Sequence, residues 1–376
     1  MNILFITEFY PKSYDLDTHG GIETRTFYIT QGLAKKHTIS VIAALERGKP
    51  DVQKVGNVQI YRVGLSRTYS RLGNIFPRVT FLVAAIIKGF RLKFDLVEGT
   101  GFFSWLPAYI LGGIKSKKRV MFVADLISEY AYGLSSFQLH ILKSFERIIL
   151  HQKWDAVLCI SQTVKKKLTS NTSKALPIYV IYCGTFLKHA TYKKNKSWKI
   201  CAIARLVPYK RIQDILIAIS ILKLKKIFVS CEIIGDGESK DILIALARSL
   251  GIEDKITFHG YIHKYSGVMN VLRRCNILCL PSVVEGFGIV TIEALSYGIP
   301  VVLADISVNH EITHNRGVIF HKSADPSSLA NSLLELIGNK VLYRKLQKQG
   351  HKISQEYDWK KIIFQTEKMY ENLCTY

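Results

Sequence analysis

Neither G-x-G-x-x-G nor G-x-x-x-x-G-K-[ST] occurs in these 376 residues. Their absence counts against a dinucleotide dehydrogenase and a P-loop NTPase. Cysteine is sparse and scattered. Cys159, Cys201, Cys231 and Cys279 sit inside apolar runs, as buried reduced thiols do. Cys275 and Cys279 are the only close pair, with no matching His or Cys cluster, so a zinc site is not expected and a reducing compartment is. No apolar run is long enough to cross a membrane. Val79 to Ile87 and Phe102 to Ile114 come nearest, and both are expected to be buried helices, with an interfacial position as the alternative. The opening MNILFITEFYP lacks a basic leader and a cleavage site, so it is expected to be a strand and not a signal peptide. Low-complexity tracts and internal repeats are missing too.

Acidic residues are also few, 29 Asp+Glu against 52 Lys+Arg, for a net charge of +23. Both halves are basic, the first more so. A field of this sign favours polyanions: nucleic acid, anionic lipid or phosphorylated substrates. Ordinary solvated surface charge accounts for it equally well. No recognition motif and no aromatic platform accompanies the basic runs, so nucleic acid is not the expected partner.

What is present is a repeated alternation. Short Val/Ile-rich runs at 2–7, 38–45, 58–63, 95–99, 119–125, 156–161 and 178–182 are followed by helical patterns. So are those at 199–206, 231–237, 255–260, 277–282, 300–305 and 317–321. The runs are mostly apolar throughout, as strands of a parallel sheet covered on both faces are. In 211–226, Ile212, Ile215, Leu216 and Ile219 share one helical face. The polar, basic stretch 188–198 is read as a linker. Two Rossmann-like domains follow, 1–187 and 198–355, with 356–376 as a closing amphipathic helix.

Ligands of open parallel sheets bind beyond the carboxyl ends of the strands, so the loops there matter most. PSVVEGFGIVTIEA (281–294) sets Glu285 and Glu293 around a glycine loop that opens a helix near Ile289. Free backbone N–H groups at such a start suit a phosphate or sugar oxygen, and Gly286 and Gly288 let the backbone come close. A carboxylate at Glu293 can accept both hydroxyls of a ribose, and Glu285 those of a second sugar. Either acid alone could simply offset the helix dipole, but two around one loop favour a site. Arg205 and Lys210, in ARLVPYKR, could clamp a diphosphate. Gly20-Gly21 and Gly235-Asp236-Gly237 are weaker signals, each equally compatible with a plain turn.

On these residues the chain resembles the retaining glycosyltransferases of the GT-B fold, in the family 4 group with the E-x7-E motif. Glu285 and Glu293 match that spacing within EGFGIVTIEALSYGIPVV. ARLVPYKR stands for the usual G-R-L-x-x-x-K-G, and GGIE, IIGDGE, FHG and a closing YDW helix extend the likeness over nearly the whole chain. The resemblance implies two Rossmann-like parallel-sheet domains facing across a cleft, the first binding acceptor and the second the nucleotide-sugar, with the C-terminal helix crossing back to the first. It implies a hexosyltransferase that keeps the anomeric configuration. Glu293 would bind the nucleotide ribose and Glu285 the donor sugar, while Arg205 and Lys210 hold the diphosphate. Backbone groups of Phe287, Gly288 and Ile289, with Gly20, Gly21 and Gly235, would complete the donor site. No obligatory metal and no cofactor are implied, since the cations stabilise the leaving diphosphate.

The sequence departs from the pattern in three places. Ala204 replaces a glycine, Cys183-Gly184 stands where Asn-Gly is usual, and VMFVADLI (120–127) holds Ala124-Asp125 where a histidine is common. Asp125 is therefore the candidate for handling an acceptor hydroxyl, with Glu129 and His19 as competing polar groups. The expected partners are a UDP- or GDP-sugar, a lipid-linked or glycan acceptor and an anionic membrane surface. The expected location is the cytoplasm or the cytoplasmic membrane face. Two alternatives stay open: a non-catalytic basic protein binding anionic membrane or nucleic acid, and a sugar-nucleotide epimerase.

Overall fold

The computed structural model describes residues 1–17, 20–67, 75–126, 135–172, 175–187 and 197–375. The chain divides into two units, Met1–Cys183 with Trp359–Tyr376, and Gly184–Asp358. The boundaries differ by a few residues from those expected at 187 and 355. The reason is local: the Thr185 N–H donates to the Tyr357 carbonyl at 2.6 Å, and Thr185 pairs with Asp358, so residues 184–187 belong with the second unit. Most of the expected linker, 188–196, and the candidates His19 and Glu129 lie outside the described residues.

The first unit holds β1 (Asn2–Thr7), β2 (Thr38–Glu46), β3 (Val52–Val55), β4 (Val58–Arg67), β5 (Leu96–Thr100), β6 (Lys118–Val123), β7 (Ala156–Cys159) and β8 (Ile178–Val180). They form one sheet in the order β3-β4-β2-β1-β5-β6-β7-β8. All neighbours are parallel except β3 and β4, an antiparallel hairpin that sequence reasoning missed. The centre is buried on both faces, which explains the unbroken apolar runs: Leu4, Ile6, Ile42 and Val97 are fully buried and pack with Phe81, Ala85 and Leu111.

The second unit holds β9 (Trp198–Ile203), β10 (Val229–Ile234), β11 (Ile256–Gly260), β12 (Ile277–Leu280), β13 (Val301–Ala304) and β14 (Val318–His321). The order is β11-β10-β9-β12-β13-β14, all parallel. The helix Ile212–Leu224 buries Ile212, Ile215, Leu216 and Ile219 against this sheet, the face that its periodicity marked.

The closing helix Trp359–Thr375 is part of the first unit. It lies against the helix Gly21–Leu33, close enough that a β-carbon on Gly32 would stand 2.5 Å from the Ile363 side chain. Buried polar groups fix it. Glu98, on β5, accepts from Arg25 Nη1 at 2.9 Å and from the Tyr370 hydroxyl. The Arg25 guanidinium also lies 3.7 Å over the Phe122 ring.

The two apolar runs differ in fate. Phe102–Ile114 is a helix that buries Trp105, Ala108 and Leu111, as expected. Val79 to Ile87 lies in the helix Ile75–Phe90, and here the expectation of burial fails. Phe81 and Ala85 face the core, but Phe76, Val79, Val83, Ile87 and Phe90 are 43–63% exposed. Their spacing of three and four residues places them on one face. Among the described residues no helix is long and apolar enough to cross a membrane.

Candidate functional site

The strand order of the second sheet reverses between β9 and β12: β10 and β11 lie on one side of β9, and β12 to β14 on the other. Ligands of doubly wound sheets bind at such a switch point. The two loops that leave it carry five of the candidate residues. Arg205 and Lys210 follow β9, while Glu285, Phe287 and Gly288 follow β12. The Val283 N–H donates to the Tyr209 carbonyl at 3.0 Å, which ties the loops together.

The loop after β9 closes in a short helical turn, Pro208–Lys210, and Arg211 takes a left-handed conformation before the next helix. Arg211 forms two hydrogen bonds, 2.8 and 2.9 Å, to the buried Asp214. Arg205 donates to the Tyr209 hydroxyl at 2.7 Å. Lys210 forms an ion pair with Glu285. The pair joins a residue assigned to the diphosphate with one assigned to the sugar, which spacing could not show because they lie 75 positions apart.

Gly288 is left-handed (φ 74°, ψ 59°) and caps the helix Ile289–Ser296. The N–H groups of this first turn are the ones an anion would meet. Phe287 is buried, its ring edge-on to Tyr357 at 5.7 Å, so only its backbone can serve a ligand. The hydroxyls of Ser282 and Thr291 flank the loop, buried and without a hydrogen-bond partner among the described residues. An unmade bond of that kind costs about 1–3 kcal/mol, and native proteins keep few unless a site needs them.

Glu293 lies in this helix and is 4% exposed. Burial pushes its carboxyl up to about 7, and a hydrogen bond from the Tyr265 hydroxyl to Oε1, 2.6 Å long, pulls it back. Tyr265 was not foreseen, since it reaches Glu293 from the helix Tyr265–Leu272.

Gly235 has a reason independent of any ligand. With φ 135°, a β-carbon there would stand 1.9 Å from the Ala204 carbonyl oxygen. The glycine lets the loop after β10 close on the loop that carries Arg205. Leu206 N–H to the Asp236 carbonyl, 2.9 Å, and Ser239 N–H to the Leu206 carbonyl, 3.0 Å, complete that contact.

In the first unit, Gly20 and Gly21 open the helix Gly21–Leu33. Gly20 has extended backbone, and a β-carbon on it would meet nothing within 4 Å. Asp125 follows β6. Its side chain is 2% exposed and meets Lys167 Nζ at 3.4 Å. It does not cap the helix Ser136–Leu150, because Ser135 and Gln138 form a capping box there. The basic run 115–119 is partly spent inside the fold: Lys115 donates to the Leu92 carbonyl at 2.6 Å, Lys117 pairs with Asp95 and Arg119 with Asp155.

Among the described residues one group, His37, Glu367 and Glu371, is close enough to hold a metal ion. Its carboxylates already have partners, Glu367 with His37 and Lys36, and Glu371 with Lys368.

Comparison with known proteins covers nearly the whole chain. Residues 185–353 match the family described as glycosyl transferases group 1, and residues 19–188 match glycosyltransferase family 4. An uncharacterized glycosyltransferase of Haemophilus influenzae is 23% identical over 93% of this chain and 96% of its own. Another, from Methanocaldococcus jannaschii, is 26% identical over 58% of this chain, which spans 60% of that relative. Among solved structures, sucrose-phosphate synthase from Thermosynechococcus elongatus superposes with a TM-score of 0.83 at 20% identity, covering 99% of this chain and 98% of that one. Anabaena HepE in complex with UDP-glucose gives 0.79 at 17%, covering 99% and 100%. At these identities the structures show the fold, which is GT-B.

Proposed function

The chain belongs to the group 1, family 4 glycosyltransferases, and from that premise we propose that it moves a sugar from a nucleotide-diphosphate donor to a lipid-linked or glycan acceptor, with the anomeric configuration retained. One observation carries the reading: Arg205, Lys210, Glu285 and Gly288 leave the switch point of the second sheet on two tied loops, with Glu293 buried in the helix that Gly288 opens.

In this reading Glu293 accepts the ribose hydroxyls and Glu285 those of the donor sugar. Arg205 and Lys210 neutralise the diphosphate as its charge develops, and the N–H groups from Phe287 to Ile289 bind sugar or phosphate oxygens. The acceptor oxygen bonds to the anomeric carbon on the face from which the diphosphate oxygen departs. The acceptor's proton passes to that departing oxygen, leaving glycosylated acceptor and nucleoside diphosphate. Such a step asks mainly for orientation and charge stabilisation. Asp125 is the proposed group that orients the acceptor hydroxyl.

A lipid-linked acceptor fits the exposed apolar face of Ile75–Phe90. The face ends near Lys88 and the exposed Arg91 and Lys93. The helix Ser136–Leu150 of the same unit also exposes Phe137, Ile141 and Ile148 beside Lys143 and Arg147. Apolar stripes flanked by cations suit an anionic bilayer surface. Vesicles of phosphatidylserine should therefore bind the protein in a salt-sensitive way, and Val83→Ser with Ile87→Ser should weaken that binding. Equal partitioning to neutral and anionic vesicles would remove the membrane surface.

The function itself is tested by melting the protein with UDP, GDP and ADP and then with their sugars, since a bound ligand raises the melting temperature. The best donor is then incubated with lipid and glycan acceptors, and product anomers are read by NMR. Donor binding with neither transfer nor hydrolysis across a broad acceptor panel would favour a non-catalytic protein. Conversion of the free sugar-nucleotide to its epimer would favour an epimerase.

A further inference from the structure

Glu293 is a buried acid in a place where the proposed function requires a charged one. A neutral carboxylic acid offers its hydroxyl as a donor and accepts poorly, whereas a carboxylate accepts two hydroxyls at once. Something in the fold must therefore favour the charged form and fix its rotation. The groups around it are few. The helix Tyr265–Leu272 brings Tyr265, whose hydroxyl donates to Oε1 at 2.6 Å. Arg273, next after that helix, places its guanidinium 5.7 Å over the ring of Tyr297, and Tyr297 follows the helix that holds Glu293. His351, from the helix Lys340–Ser354, donates through Nδ1 to the Ser296 carbonyl at 3.0 Å and so meets backbone, not the carboxylate. β13 contributes only apolar side chains. Among the described residues Tyr265 gives the one hydrogen bond that the Glu293 side chain receives, and it falls on Oε1.

We propose that Tyr265 is a positioning residue of the donor site: its hydroxyl holds Oε1 of Glu293, offsets the burial of the carboxylate and leaves Oε2 to accept the hydroxyls of the bound ligand. The inference rests on the assignment of Glu293 to donor hydroxyls made above. It adds a residue from outside the E-x7-E block and a consequence, that donor affinity depends on pH near neutrality. Burial raises the Glu293 carboxyl to about 7, and Tyr265 acts against that rise. Loss of the phenol hydroxyl should move the titration to higher pH, by about one unit for a hydrogen bond to a charged group.

The test uses the full chain and the isosteric variant Tyr265→Phe. Glutamate side-chain carboxyls carrying ¹³C are titrated by NMR without ligand, and Glu293→Gln identifies the resonance. The wild-type midpoint is expected near 7, and that of Tyr265→Phe about one unit higher. Donor affinity is then measured from pH 6 to 9 with UDP-glucose, GDP-mannose and ADP-glucose, whose diphosphate diesters do not titrate in that range. Wild-type affinity for the sugar-nucleotide that binds should rise about tenfold from pH 6 to 8 and then level off. Tyr265→Phe should bind roughly fivefold more weakly at pH 7 and recover by pH 9. A merely structural tyrosine would lower affinity equally at every pH. An unmoved NMR midpoint in Tyr265→Phe overturns the proposal whatever the ligand data show. If Glu293→Gln binds donor as well as wild type at pH 8, the assignment of Glu293 to the donor falls instead, and the NMR midpoint still decides the role of Tyr265 toward the carboxylate.

Discussion

Two glycines of the candidate site should respond in opposite ways to the same change. At Gly235 the backbone is at φ 135°, and an added β-carbon stands 1.9 Å from the Ala204 oxygen and 2.9 Å from the Ala204 carbon. A conformation so unfavourable to an L-residue costs about 1–3 kcal/mol. Both clashing atoms are backbone, so the loop after β9 must move. That movement strains the bonds from Ala204 N–H to the Ile234 carbonyl and from Leu206 N–H to the Asp236 carbonyl, each worth roughly 1 kcal/mol. Gly235→Ala should therefore lose about 3–5 kcal/mol. At about 2–4 °C per kcal/mol this is a fall of roughly 6–20 °C in melting temperature. Arg205 adjoins Ala204, so nucleotide binding should weaken as well. At Gly20 the backbone is extended and the space is empty. Gly20→Ala alters only a helix N-cap, for about 1 kcal/mol or less. Differential scanning fluorimetry, followed by donor titration, separates the two. A Gly235→Ala protein that melts within about 2 °C of wild type refutes the close approach. A Gly20→Ala protein that melts normally but has lost donor affinity assigns that glycine to a ligand, and unchanged affinity removes it from the site.

Arg205→Ala combined with Lys210→Ala should lower turnover by at least about 10²-fold, because both act on charge that develops in the reaction. Unchanged kinetics would sink the diphosphate assignment. Turnover should survive EDTA, and strict loss restored by Mg²⁺ or Mn²⁺ would contradict a metal-free clamp. The folded chain keeps a proton on Glu293 up to about pH 7, whereas an unfolded glutamate releases it near 4.5. This residue's contribution to stability is thus fully present below 4.5 and is lost as pH rises through 7, by roughly 3 kcal/mol. Glu293→Gln should flatten that part of a urea-midpoint profile, and an unaltered profile would count against the buried carboxyl. Asp125→Asn should cut turnover by about 10²-fold with donor affinity intact. Unchanged turnover with a lower melting temperature, reproduced by Lys167→Met, would reduce Asp125 to an ion-pair partner.

The strands were legible because burial on both faces of a parallel sheet leaves continuous apolar runs, and each expected run is a strand. Among the described residues the one missed strand, β3, is only four residues long, half of them polar, and lies at the edge. It carried a different signal, the Gly56-Asn57 turn between VQKV and VQI, which marks a two-residue hairpin. The loops were legible too, since the switch point follows from strand order and the glycines announce tight turns. Partnerships were not. Lys210 with Glu285, Tyr265 with Glu293, and Arg25 with Glu98 and Tyr370 join residues far apart in the chain, and nothing in local spacing encodes them. Only Tyr209, four positions after Arg205, was within reach of a sequence argument. The exposed face of Ile75–Phe90 was misjudged because a helix apolar on nearly all sides looks buried all round.

Two acids beside an anion site would weaken it by repulsion if both stayed charged and unpaired, and the second unit prevents this in two ways. Glu285 is neutralised by Lys210, and Glu293 accepts a hydrogen bond from the Tyr265 hydroxyl. In the proposed reaction an arriving diphosphate competes with Glu285 for Lys210. When it wins, Glu285 is released to accept sugar hydroxyls, so diphosphate binding and sugar orientation are coupled through one lysine. The coupling makes an asymmetric forecast for Glu285→Gln. Removing the competitor should leave nucleoside diphosphate affinity equal or a few-fold tighter, since an opposing charge near the phosphates is gone. Turnover should fall by 10²-fold or more, since the sugar loses a charged acceptor that holds it in line. Isothermal titration with the nucleoside diphosphate and steady-state kinetics with its sugar measure the two sides. A tenfold loss of diphosphate affinity in Glu285→Gln would mean that the pair builds the site instead of competing with the ligand for it, and the coupling would have to be abandoned.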